Sequence, residues 1–148
     1  FDGRPRTGRI VVARRVAPEI VAVFRRLWAA EFPIRSLRPV SAYGGSDDRS
    51  MAADNTSAFN CRFVGGTSRW SMHAYGLAID INPFHNPYVR DETVLPERAI
   101  AYRTRSWKRP GMILPGGVVT RAFARIGWGW GGDWSSSKDW MHFSLSGH

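Results

Sequence analysis

The stretch Leu77-Ala78-Ile79-Asp80-Ile81 constrains this chain most, because large apolar residues alternate with a small and a charged one. That period of two predicts a strand, with Asp80 on the opposite face from Leu77, Ile79 and Ile81. Asn82-Pro83 ends it. Just upstream, Ser71-Met72-His73-Ala74-Tyr75-Gly76 places an imidazole before a glycine, and a turn at Gly76 folds His73 back beside the strand carrying Asp80. One imidazole and one carboxylate make half of a metal site. The tail offers the other half in Asp139-Trp140-Met141-His142-Phe143-Ser144. Three protein ligands with an open fourth position are the usual donor set of a catalytic zinc site, and His73, Asp80 and His142 meet that count. Asp139 precedes His142 by three residues, a spacing that shares one side only in a turn or helix, so a bend is expected just before His142.

The remaining chain predicts a mixed scaffold. Residues 1 to 8 read as an extended lead-in and Ile10-Val11-Val12 as a short strand. Ile20, Val23, Phe24, Leu27 and Trp28 recur at helical spacing behind Pro18, which predicts a helix from about Pro18 to Glu31. Ile34 to Val40 reads as a strand kept at an edge by Pro39. Tyr43 to Arg62 is a long polar segment, docked through Met51, Phe59 and Cys61. Pro83 to Pro115 reads as a surface excursion with a short helix near Glu97 to Arg103. Val118 to Ile126 predicts a second helix closed by Gly127. Trp128 to Trp134 reads as a strand and tight turn, and His142 to Leu145 as a final strand. The fold class is therefore α+β: a small, mostly antiparallel sheet with helices packed on it.

With 148 residues the chain is the size of one domain, and it is read as a single domain over 1–148. Cys61 is the only cysteine, which excludes an internal disulfide and any site of two or four cysteines. No apolar run reaches the ~20 residues of a membrane helix, so no membrane insertion is expected. The chain begins at Phe1 without a leader, as a processed protein or excised domain would. The formal charge of +9 comes mainly from scattered arginines and favours anionic partners. No nucleic-acid-binding motif accompanies it, and no nucleic-acid partner is expected.

Among other titratable residues, His148 and His85 read as surface groups, Asp47, Asp48 and Asp54 as loop solvation, and Cys61 as a small buried apolar residue. Trp128 and Trp130 alternate so that both face the core, while Trp140, between Asp139 and His142, is expected to border a cleft.

These residues resemble the zinc D-alanyl-D-alanine carboxypeptidases and L-alanyl-D-glutamate endopeptidases of bacterial and phage cell-wall metabolism. The family pattern is S-x-H-x-x-G-x-A-x-D followed by [DE]-x-x-H. Ser71, His73, Gly76, Ala78 and Asp80 fill the first part; Asp139 and His142 fill the second. Asn55 to Arg62 and Trp128 to Gly132 are also similar to segments of one branch, so the resemblance spans roughly residues 8 to 146. It implies a Hedgehog/D,D-peptidase-like fold. It implies one Zn²⁺ held by His73, Asp80 and His142, with Asp139 as general base, where other members use the longer Glu. It further implies that Arg62 holds the oxyanion or a substrate carboxylate, and that Ser57, Ser71 and Trp140 contact substrate or orient ligands. The implied substrate is a peptidoglycan stem peptide, cut at L-Ala–D-Glu or at terminal D-Ala by a monomer. Its implied place is secreted, at the cell envelope, or in a phage lytic enzyme. The competing expectation is a non-catalytic, zinc-stabilised binding module of the same fold, against which the presence of Asp139 argues.

Overall fold

Pro18 within the first turn, Glu19 beside it and Arg26 in the last turn suit a helix dipole, and the helix α1 runs Ala17–Ala29. Ile20, Val23 and Leu27 form its buried stripe. Trp28, expected on that stripe, is 67% exposed, because the face that meets the core is narrower than the run of apolar residues. The computed structural model describes all residues from Phe1 to His148. Downstream of α1 come β1 (Ser36–Leu37), α2 (Asp47–Ala52), β2 (Asn55–Thr56) and β3 (Ala78–Asp80). Then follow β4 (Tyr88–Arg90), β5 (Thr93–Leu95), α3 (Val118–Ala124), β6 (Gly129–Trp130), β7 (Lys138–Asp139) and β8 (His142–Ser144).

The architecture is α+β, with the strands divided among three small sheets. β1 and β2 pair in parallel; β3-β8-β6 and β5-β4-β7 are antiparallel. The central sheet β3-β8-β6 turns Ile79, Phe143 and Trp130 toward α1 and α3, and these join a core of fifteen buried residues. Phe123 of α3 stacks on Phe143 at 4.1 Å between ring centroids. Trp128 and Trp130 belong to that core, as their alternation predicts.

Register positions the site. Ile79 lies opposite Phe143 and Asp80 opposite His142. Directly opposed residues of an antiparallel pair share a face, so the packing of Ile79 against Phe143 puts Asp80 and His142 side by side on the other face. The expected bend is also present: β7 belongs to one sheet and β8 to another, and the chain turns at Trp140-Met141 between them.

Several expectations are corrected. Ile10 to Val12 forms no strand, because its neighbourhood bonds to three separate segments: Arg9 N–H donates to Leu37, Phe59 N–H to Val11 and Ala13 N–H to Gly76. The polar segment holds a helix, α2, capped by the Ser46 side chain accepting from Arg49 N–H. The excursion after Pro83 contains the hairpin β4–β5 and is fastened inward by Arg105. The Arg105 guanidinium donates to the carbonyls of His85 and Ile113 and to Asn86 Oδ1, and lies over the Trp140 ring. Cys61 is exposed, since it lies on the open segment leading to the Phe63–Trp70 bridge. Asp54 is buried and accepts from the N–H groups of Phe84 and His85 and from His85 Nδ1; it braces a loop. His85 is accordingly half-buried.

Candidate metal centre

His73 sits in a 3-10 turn, Met72–Tyr75, closed at both ends. Ser71 Oγ accepts from His73 N–H at its start, and Gly76 ends it in the left-handed region at φ 64°. A Cβ at Gly76 would come within 2.7 Å of Ala13 N, so both the turn and the close approach require glycine there. The imidazole is 1% exposed and its Nδ1–H donates to the Ala58 carbonyl at 2.7 Å. That bond makes Nδ1 the hydrogen-bond donor to the backbone and turns Nε2 toward Asp80 and His142.

Two imidazole nitrogens and both oxygens of Asp80 converge here. His73 Nε2 lies 3.1 Å from Asp80 Oδ2, His142 Nδ1 lies 3.1 Å from Asp80 Oδ1, and the two nitrogens are 3.2 Å apart. One ligand atom from each residue can be chosen so that all three lie within 4.8 Å of one another, a separation from which small side-chain shifts reach the roughly 3.3 Å between ligands of a tetrahedral ion. The cluster His73, Asp80 and His142 is buried throughout and could hold a metal ion. Burial alone would raise the Asp80 carboxyl, but His73 and His142 outweigh it and hold it well below the usual carboxylate range. Burial would likewise lower His73, and the Asp80 charge and hydrogen bond reverse this, leaving it raised. Each group thus stabilises charge on the other.

Ser57 and Ser71 are buried behind the ligands. Ser57 exchanges both backbone hydrogen bonds with Asp80, and Ser71 caps the turn of His73, so the support they give runs through the ligands.

Asp139 is carried by β7, opposite Tyr88 of β4. A Cβ at Gly131 would meet the Asp139 carbonyl at 2.6 Å, Asp139 Cβ at 2.7 Å and His142 Cβ at 3.3 Å, so a bare glycine lets β7 and β8 lie against this segment. Burial pushes the Asp139 carboxyl up to about 7, with Asp80 and Asp47 adding to the rise and His142 and Arg62 opposing it. Its Oδ1 is sealed from solvent and has no protein partner. A carboxyl poised near neutrality beside a metal cluster is suited to take and return a proton.

Trp140 packs against Trp130 at 5.5 Å and carries Arg105 on its ring, which makes it a brace beneath Asp139. Arg62 is half-buried and its charge reaches both His73 and Asp139. The residue that sequence reasoning missed is Asp47, whose Oδ2 lies 2.9 Å from Arg62 Nε. Ser46 followed by two aspartates was a readable helix-cap signal, but nothing local pairs Asp47 with a residue fifteen positions on.

A family model described as D-alanyl-D-alanine carboxypeptidase matches residues 65–145, more than half of the chain and all of His73, Asp80, Asp139 and His142. The chain belongs to this peptidase family. No curated protein and no solved structure matches it. The match begins after Arg62 and Asp47, so the guanidinium and its partner stand on the structure alone. No helix is long and apolar enough to cross a membrane.

Proposed function

We propose that this chain is a zinc peptidase hydrolysing a peptide bond in the stem peptides of bacterial peptidoglycan, as a D,D-carboxypeptidase or an L-alanyl-D-glutamate endopeptidase. The observation that carries it is the triangle of His73 Nε2, Asp80 and His142 Nδ1 on the sheet face, with the raised acid Asp139 beside it. When bound, zinc supplies Lewis acidity, acidifying a water and polarising the scissile carbonyl. Asp139 takes the proton from the attacking water and returns it to the leaving amine. Arg62 offers guanidinium N–H groups to the oxyanion or to a substrate carboxylate. The Nδ1 bond to Ala58 holds the His73 ring, so its ligand nitrogen needs no rearrangement.

The basic surface supports attraction to an anionic wall, and the protein is proposed to act outside the cytoplasm, at the cell envelope or as a phage lytic enzyme, as a monomer. Metal analysis paired with digestion of purified peptidoglycan tests this reading. Zinc at one equivalent and new peptide termini by mass spectrometry are expected. Zinc-loaded protein that produces no new termini overturns it.

A further inference from the structure

Arg62 has been assigned to the reacting groups, yet a free arginine at a cleft rim samples many rotamers, and its planar fork acts on an anion only in one orientation. The structure supplies the restraint. Asp47 Oδ2 lies 2.9 Å from Arg62 Nε, and both side chains are largely shielded, at 32% and 24% exposure for Arg62 and Asp47. Asp47 is itself held, because Asn60 Nδ2–H donates to its Oδ1 at 3.0 Å. Asn60 in turn is tied to the cluster, since its backbone N–H donates to the His73 carbonyl at 3.2 Å. The backbone of Arg62 is fixed from the other side by Ser71 N–H, which donates to the Arg62 carbonyl. Asp47 therefore stands as an ion-pair partner at the Nε side of a guanidinium whose backbone is already anchored to the turn of His73, although the Nε–H itself is not aligned in a hydrogen bond.

The far edge is left open. Arg62 Nη1 makes only a long contact of 3.5 Å to the Phe63 carbonyl, and Nη2 makes no hydrogen bond to the protein. A guanidinium carries five N–H donors, and the ion pair with Asp47 on its Nε side leaves the Nη pair facing away for an anion. We infer that Asp47 is the positioning residue of Arg62, fixing the guanidinium so that its Nη edge serves the anionic group of the substrate. Its action on catalysis rests on the peptidase reading above; the restraint on Arg62 does not. The plainer role for an aspartate in the first turn of α2 is to complement the helix end. Asp48 occupies the same turn, is exposed, and is the control for that role.

The test has two arms. In the first, ¹⁵N relaxation of the Arg62 Nε–H group is measured in the metal-loaded protein as wild type, Asp47→Asn and Asp48→Asn. Arg62 is expected to be ordered in wild type and Asp48→Asn and to gain fast motion in Asp47→Asn, with metal content unchanged. Equal order in all three overturns the inference, whatever the activity proves to be. In the second arm, kcat and KM are measured on a stem peptide for Asp47→Asn, Arg62→Ala, the double variant and Arg62→Lys. Asp47→Asn is expected to lose ~10-fold in kcat/KM, less than the ~10²–10³-fold of removing a transition-state donor outright, with the same split between kcat and KM as Arg62→Ala. The double variant is expected to match Arg62→Ala alone. Losses that multiply in the double variant overturn the inference. So does full activity in Arg62→Lys, a variant that leaves α2 untouched and keeps the charge without the fork. A wild-type protein inactive on every stem peptide removes the peptidase reading and leaves the relaxation arm to decide the restraint.

Discussion

The His73-Asp80-His142 cluster and the two groups proposed to work beside it are mounted differently. His73, Asp80 and His142 are at most 7% exposed and are placed by the central sheet, a doubly closed turn and two backbone bonds between Ser57 and Asp80. Asp139 and Arg62 are half-buried and ride on elements outside that sheet: β7 on the hairpin of the excursion, and an open segment braced by α2. On the function proposed above, the core would hold the ion while turnover would depend on peripheral mounts that can be disturbed without unmaking the cluster, so metal binding and catalysis should be separable by mutation.

The sharpest break of that contrast comes from the ligands. His73→Ala should reduce bound metal to below roughly a tenth of wild type and activity to background, because two donors cannot replace three; metal analysis after gel filtration measures it. Next, Asp139→Ala should keep the metal and lower kcat by ~10²–10⁴-fold, the usual contribution of a general base. Equal metal loss in both variants would end the distinction between capture and turnover.

A third effect concerns stability and has a definite sign. The Asp139 carboxyl stands at about 7 in the folded protein against 3.8 as its ordinary value. The folded state thus holds this proton more tightly than the unfolded chain. The favourable contribution is complete below the unfolded value and is lost as pH rises toward the folded one. Metal-free Asp139→Asn should therefore match wild type near pH 4 and exceed it at pH 8 by roughly 2–4 kcal/mol in urea unfolding, at about 1.4 kcal/mol per unit. A constant gap across that range would show that burial does not hold the proton. The smallest effect is expected at the mount of β7. Arg105→Ala removes donors from His85, Asn86 and Ile113 and uncovers Trp140, which should cost ~1–3 kcal/mol and a few-fold in kcat with metal retained.

The clustering of His73, Asp80 and His142 was legible because local rules speak for each: alternation for Asp80, a glycine turn for His73, and the three-residue step from Asp139 to His142. The helix predicted over Pro18 to Glu31 is found at Ala17–Ala29 for the same reason, a sustained apolar period. What escaped was short or distant. α2 has six residues, too few for a period to show. The β4–β5 hairpin turns at Asp91-Glu92 with Asp91 at φ 49°, a signal hidden among prolines. Asp47 and Asp54 read as solvated loop residues because their partners, Arg62 and the Phe84-His85 segment, are reached only after the chain has folded back.

The register of β3 against β8 carries one more consequence, in the order of assembly. Asp80 and His142 are sixty-two positions apart, and both belong to one donor set only when Ile79 faces Phe143. A slip of β8 by one residue would turn His142 toward the helices and leave Asp80 facing an apolar side chain. Synthesis runs from the N-terminus, so the ligand turn and its strand are made long before their partner. Under the proposed function, ion uptake by the complete cluster would therefore report that the last strand has docked in the right frame.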